Sequence, residues 1–198
     1  MKKDVVVAVN LFMSKGRDPF SCLGLKPCFS LSMEELDQHY LAALKRAHPD
    51  MHIHASQQER LTAQQQAAAI NKAYQTLKDP YERAQELLQL HLGNSPERTD
   101  LPGSAEMLEE MFIWRERLSQ VVATESLSSS QGAIMAAQRR HFIETLQQTH
   151  ATSYEIMAGA FEREAFEEAA TEAKRYRYLS KTVEDFRSRV LMTSPAYT

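Results

Sequence analysis

The residues best equipped for chemistry in this sequence are Lys45, Arg46, His48, Pro49 and Asp50: a basic pair, an imidazole, a ring-locked backbone and a carboxylate in close succession. That set suits recognition rather than bond-making. Lys45 and Arg46 can pair with an acidic face while Asp50 accepts from a partner's arginine, both charge-assisted contacts. On charge alone, the basic pair reads more readily as the ordinary complement to a helix C-terminus. No nucleophile, base and oxyanion-donor set, glycine-rich phosphate loop or metal-ligand spacing appears anywhere, so the chain is expected not to be an enzyme. His52 and His54 share the loop but bring no carboxylate or thiolate with them, and no metal is expected there. Cys22 and Cys28 are the only cysteines. Two are too few for a thiolate zinc site or an iron-sulfur cluster and unlike a secreted disulfide framework, so no cofactor is expected and a reducing compartment is.

These groups need a scaffold, and the flanking pattern supplies one. Leu36, Tyr40 and Leu44 recur at helical spacing ahead of the basic pair. Pro49 lacks an amide hydrogen and drives His48 out of the α region, so a loop begins where the helix ends. A second helical pattern starts near Ser56 and carries Leu61, Ala67, Ile70, Tyr74 and Leu77 three to four residues apart. The two helices must form an antiparallel hairpin with His48-Pro49-Asp50 at its tip. Tyr40, Leu44, Tyr74 and Leu77 are assigned to its core. Upstream, Asp18-Pro19 to Gly24 reads as a capped helical turn whose Phe20, Leu23 and Leu25 pack on the hairpin. Ser32-Met33-Glu34-Glu35 is a capping box that starts the first hairpin helix. Pro80 interrupts, and Tyr81 to Leu92 resumes as a short helix with Ala84, Leu87 and Leu88 turned inward.

At 198 residues the chain suits two small domains. A net charge of -3 and a pI near 6.2 give no basic excess for phosphates, so neither a nucleic-acid nor a membrane binder is expected. Val5 to Met13 faintly mimics a signal peptide but is broken by Asn10 and is too short to span a bilayer. Between Gly93 and Gly103 periodicity disappears amid two prolines and two glycines. The expected division is an extension over 1–17, a first domain over 18–92, a linker over 93–103, a second domain over 104–192 and a tail over 193–198.

Beyond the linker the pattern is helical in three segments: Ser104 to about Thr124, Gln131 to His150, and Thr152 to about Met192, with a break near Ala151 and a bend at Gly159. An all-α protein ending in an antiparallel three-helix bundle is the economical solution. Met107, Met111, Trp114, Leu118 and Val121 make the core stripe of the first segment. Leu108, Phe112 and Glu116 lie on an adjacent strip, which is either the flank of a broad buried face or an exposed apolar patch with a polar edge. In the last segment Phe161, Ala165, Ala169, Ala173, Tyr176, Leu179, Val183, Phe186 and Val190 keep core spacing. Lys174, Arg175, Arg177, Tyr178 and Lys181 sit just off that line, as a solvated face or as interface anchors.

Tyr40 and Leu44, eight and four residues before His48, together with Ile70-Asn71-Lys72-Ala73-Tyr74 and Asp79-Pro80-Tyr81-Glu82-Arg83-Ala84, resemble the J domain of the J-protein co-chaperones. With Trp114-Arg115-Glu116 and Arg177-Tyr178-Leu179-Ser180-Lys181 downstream, the whole resembles the HscB type (Jac type) of that class. The resemblance implies an L-shaped, non-enzymatic co-chaperone, a monomer or weak dimer. It implies that Lys45, Arg46, His48, Pro49 and Asp50 engage an HscA-type heat-shock ATPase chaperone and stimulate its ATP hydrolysis. It also implies that Leu108, Phe112, Glu116, Arg177 and Tyr178 hold an IscU-type iron-sulfur scaffold protein. Glu109 stands where that family usually has an aliphatic and Ile113 where it usually has an acid; a shift of one residue would instead enlist Met107 and Met111. The Gly/Phe-rich linker and Cys-x-x-Cys repeats of DnaJ-type proteins are absent, as is the amino-terminal cysteine module of animal HscB proteins. A bacterial or fungal-like form is therefore favoured, with the bacterial cytoplasm expected ahead of the mitochondrial matrix. The rival reading is a J protein tethered to a membrane or complex through Val5 to Met13 and serving another client.

Overall fold

The computed structural model describes residues 18–47, 57–93, 104–122 and 129–192, and every regular element among them is helical. The chain divides into two compact units after Leu90. The apolar stretch Val5 to Met13, the tripeptide His48-Pro49-Asp50, residues 94–103 and the tail lie outside the described residues.

In the first unit three of the helices start on a side-chain oxygen. Asp18 caps α1 (Pro19–Leu23) by accepting from the Ser21 amide at 2.9 Å, Pro19 occupies the first turn, and Gly24 ends it in the left-handed region at φ 72°. There a side chain on any other residue would be strained. Ser32 caps α2 (Met33–Ala47), accepting from the Glu35 amide at 3.1 Å. Asp79 stops α3 (Gln57–Lys78) and starts α4 (Pro80–Leu92), accepting from the Tyr81 and Glu82 amides at 2.8 and 3.2 Å. These caps satisfy donors that a helix start leaves open.

Packing follows from small residues at the hairpin seam. Leu36, Ala43 and Ala47 of α2 are buried with Ala63, Ile70, Ala73 and Leu77 of α3, and Phe20 and Leu23 of α1 close the core. Fully burying a Phe or Leu contributes about 1.5–3 kcal/mol. The seam differs from the expected one. Leu61 is 47% exposed while Ala63 is buried, and Tyr40, Leu44 and Tyr74 are only half-buried, leaving Leu77 as the fully buried member of the expected four. Alanines let the two backbones approach, so larger side chains are pushed to the edges of the contact.

Arg83 is the charged exception inside this core, 2% exposed. It donates through Nε to the Leu77 carbonyl at 2.8 Å and through Nη1 to the Phe29 carbonyl at 2.7 Å, with its guanidinium over the Phe29 ring. One side chain thereby ties α4 to the end of α3 and to the connector before α2, which is why Arg83 belongs to the recognisable closing run.

The second unit is an up-down-up bundle of α5 (Ala105–Val122), α6 (Ser129–Glu162) and α7 (Phe166–Met192). Its core joins Trp114 and Leu118 of α5, Phe142 and Leu146 of α6, and Leu179, Val183 and Phe186 of α7. Phe142 meets Trp114 edge-on at 5.8 Å and Phe186 at 5.4 Å between ring centres.

The expected helix boundaries are corrected here. No break occurs at Ala151 and no bend is needed at Gly159; α6 runs through both, and Ser129 and Ser130 already belong to it. Hydroxyls along this stretch are satisfied within the bundle. Thr145 and Thr149 donate to carbonyls four residues back, and Ser153, fully buried, donates to Glu172 at 2.9 Å. The turn falls instead at Arg163–Ala165. Ala165 donates to the Ala160 carbonyl at 2.9 Å and Glu164 to that of Phe161 at 3.1 Å, with Glu164 left-handed at φ 56°. That is a Schellman ending on a residue other than glycine, so its usual sequence signal is missing. Phe161 and Ala165 accordingly lie outside α7.

Candidate functional site

Two surfaces carry the candidate residues. On the first, Lys45 and Arg46 form the exposed last turn of α2, where two cations oppose the negative end of the helix dipole. His48, Pro49 and Asp50 follow immediately in the chain, outside the described residues. One turn back, Tyr40 stacks on Tyr74 across the hairpin with ring centres 4.3 Å apart. The hydroxyls cross over: Tyr40 donates to Asn71 at 2.9 Å and Tyr74 donates to Asp37 at 2.8 Å. Stacking adds about 0.5–1.5 kcal/mol beyond burial, and the hydroxyl bonds specify the register of α2 on α3. The Tyr74 phenol is held above its ordinary range by that bond to Asp37, then by burial and the nearby charges.

On the second surface, Ser104 caps α5 by accepting from the Met107 amide at 3.2 Å. Met107, Trp114 and Leu118 then face the core, and the turn of the helix puts Leu108 and Phe112 outward at 54% and 66% exposure, with Glu116 also exposed. The broad buried face is thus excluded; the strip is an exposed apolar patch. Ile113, 41% exposed, and Glu109 lie on the outward side as well. A register enlisting Met107 and Met111 would point inward, since Met107 is buried and Met111 half-buried.

Tyr178 of α7 is half-buried and donates its hydroxyl to the Met111 carbonyl in a short hydrogen bond. Burial pushes its phenol above the ordinary range, so it stays the donor. Tyr178, expected at the cargo surface, has its hydroxyl engaged as a tie between α7 and α5. Arg177, its neighbour, is half-exposed on α7.

The sequence reading misses Glu110. Its two carboxylate oxygens accept from Arg175 Nε at 2.7 Å and Nη2 at 2.8 Å, and Oε1 also accepts from Trp114 Nε1 at 3.3 Å. The Arg175 bonds hold the Glu110 carboxyl below its ordinary range against the opposing effect of burial, and the same contact raises Arg175. An acid one helical turn before a core tryptophan was the available signal. Among the described residues no cluster of His, Cys, Asp and Glu could hold a metal ion, and no helix is long and apolar enough to cross a membrane.

Residues 18–85 match the model of the DnaJ domain. Helical hairpin, closing Arg83 and downstream bundle together define a J-domain protein. Over 132 residues, 65% of this chain and 77% of the other, the sequence is 39% identical to the Co-chaperone protein HscB homolog of Vibrio cholerae. Over 129 residues it is 35% identical to that of Ralstonia nicotianae, covering 64% and 73% of the two chains. The structure of chaperone HscB from Vibrio cholerae aligns with a TM-score of 0.74 at 29% identity, covering 89% of this chain and 99% of that one. The crystal structure of human co-chaperone protein HscB aligns at 0.73 with 26% identity, covering 90% and 85%. The chain belongs to the HscB family of J-domain co-chaperones.

Proposed function

We propose that this chain carries an IscU-type iron-sulfur scaffold protein on its bundle and delivers it to an HscA-type ATPase chaperone, whose ATP hydrolysis its J domain stimulates. In this reading, residues 18–92 are the J domain, 93–103 the linker and 104–192 the cargo-binding bundle. The chain performs no bond-making of its own and works in the bacterial cytoplasm. Lys45, Arg46, His48, Pro49 and Asp50 meet the ATPase: the cations pair with an acidic face, and Asp50 accepts from an arginine. Leu108, Phe112, Glu116, Arg177 and Tyr178 hold the scaffold, with the two apolar side chains as anchors and charges at the rim.

The observation that carries this reading is the exposure of Leu108 and Phe112 on a helix whose opposite face is buried, in a chain of the HscB family. Bulky apolar side chains held that far out of a core mark a partner site. The test is titration of the chain with a purified IscU-type scaffold, beside single-turnover ATP hydrolysis by an HscA-type chaperone. Phe112→Ala should weaken scaffold binding at least tenfold and leave stimulation by the J domain alone intact. Asp50→Ala should abolish stimulation and leave scaffold binding unchanged. Loss of both activities in either variant would contradict a division of labour between the two units.

A further inference from the structure

The N-terminal half of α5 is held unusually. It carries Leu108 and Phe112, yet the residues of α5 that are buried are Met107, Trp114 and Leu118, two of them toward the far end of the strip. Methionine is unbranched and adapts its shape, so Met107 alone specifies rotation of this half poorly. What fixes it is polar. Arg175 grips Glu110 through two parallel bonds at 2.7 and 2.8 Å, and Tyr178 grips the Met111 carbonyl. A planar guanidinium on a carboxylate constrains direction as well as distance.

Arg175 is itself positioned from a third helix. Its Nη1 lies 3.6 Å from Glu172 Oε2, and that oxygen accepts from the buried Ser153 of α6 at 2.9 Å. On the other side Trp114, anchored in the core, donates to Glu110 at 3.3 Å. The chain Ser153–Glu172–Arg175–Glu110–Trp114 crosses all three helices, with Arg175 and Glu110 about a quarter exposed, at 24% and 28%.

We infer that Arg175 and Glu110 are positioning residues for the cargo surface: their link sets the rotation of α5 that turns Leu108 and Phe112 outward together. This rests on the scaffold-binding reading of that strip. Neither residue is asked to touch the scaffold.

The experiment measures scaffold affinity for the full chain at a temperature where circular dichroism shows every variant folded, and follows the emission of Trp114, the only tryptophan. Arg175→Met should weaken binding about tenfold, within the range for substitutions that act without contacting the ligand. Glu110→Gln should weaken it several-fold, and the double variant should be no worse than Arg175→Met, since both break one link. Arg175→Lys should recover part of the affinity, and Trp114 emission should shift wherever the link is lost. Affinity within twofold of the parent in Arg175→Met, with Trp114 emission shifted, would overturn the inference. So would loss in Arg175→Met with Glu110→Gln unaffected, because Arg175 would then act by direct contact. Phe112→Ala separates the two levels. If it loses binding while Arg175→Met does not, only the positioning role falls; if it binds like the parent, the cargo surface is elsewhere and both fall.

Discussion

In the first unit an arginine is sealed inside the core and bonds to backbone carbonyls, whereas in the second an arginine at the edge of the bundle bonds to carboxylates. Arg83 joins Leu77 and Phe29, groups that cannot titrate and that solvent does not reach around its guanidinium. Arg175 joins Glu110 and Glu172 where water and salt have access. Buried polar groups left without partners cost far more than exposed ion pairs gain, so the first arginine bears on the stability of its unit. The second decides how a surface already folded is presented. Location, more than residue type, separates the two roles.

Arg83→Leu tests the first half of that contrast most severely. It removes the side-chain donor from the Leu77 carbonyl and leaves the Phe29 carbonyl with the Leu31 amide at 2.8 Å, and the J-domain unit should lose about 2 kcal/mol, read as a lower denaturant midpoint. A loss below about 1 kcal/mol would mean that water replaces the side chain and the core is not sealed. Arg175→Met should cost only about 1 kcal/mol of bundle stability. In about 1 M salt the parent bundle should approach the variant, because screening then acts over about 3 Å, while the Arg83 contribution should persist. Equal salt sensitivity in the two units would erase the distinction.

A smaller effect comes from His150, whose Nε2 lies 2.8 Å from the Ser180 hydroxyl and whose ring stacks on Tyr176 at 4.2 Å. Burial, and then the charge of Arg187, hold its imidazole below the ordinary 6.5. A lowered folded value means that the unfolded chain takes up the proton first, so its stability contribution is full above 6.5 and is lost as pH falls through the folded value. The melting temperature of the bundle should therefore drop as pH falls from about 7.5 to about 5.5, and His150→Phe, which keeps a ring against Tyr176, should flatten that drop. Glu164→Gly, at the left-handed turn before α7, should gain about 0.5–1 kcal/mol, measured by the same melts.

The hairpin and two of its caps were legible because Asp18 and Ser32 act locally, through their own neighbours' amides, and Pro19 and Pro80 through their own rings, whereas the Asp79 cap emerges only in the structure. Helical period also separated Met107, Trp114 and Leu118 from Leu108 and Phe112, although period alone left the exposure of the second pair open. What escaped depends on distant partners. The continuity of α6 through Ala151 is hidden until Glu172 stands opposite Ser153, and Glu110 looks like one more solvated acid until Arg175, 65 positions away, closes on it. The α6–α7 turn escaped for the opposite reason: its left-handed residue is a glutamate, which advertises nothing.

The crossed hydroxyls of Tyr40 and Tyr74 have a mechanical corollary. Sliding either strut of the hairpin by one turn, about 5.4 Å, would break both hydroxyl bonds and unstack the rings at once. Those three contacts therefore fail together or not at all, and the hairpin resists slippage as a single latch.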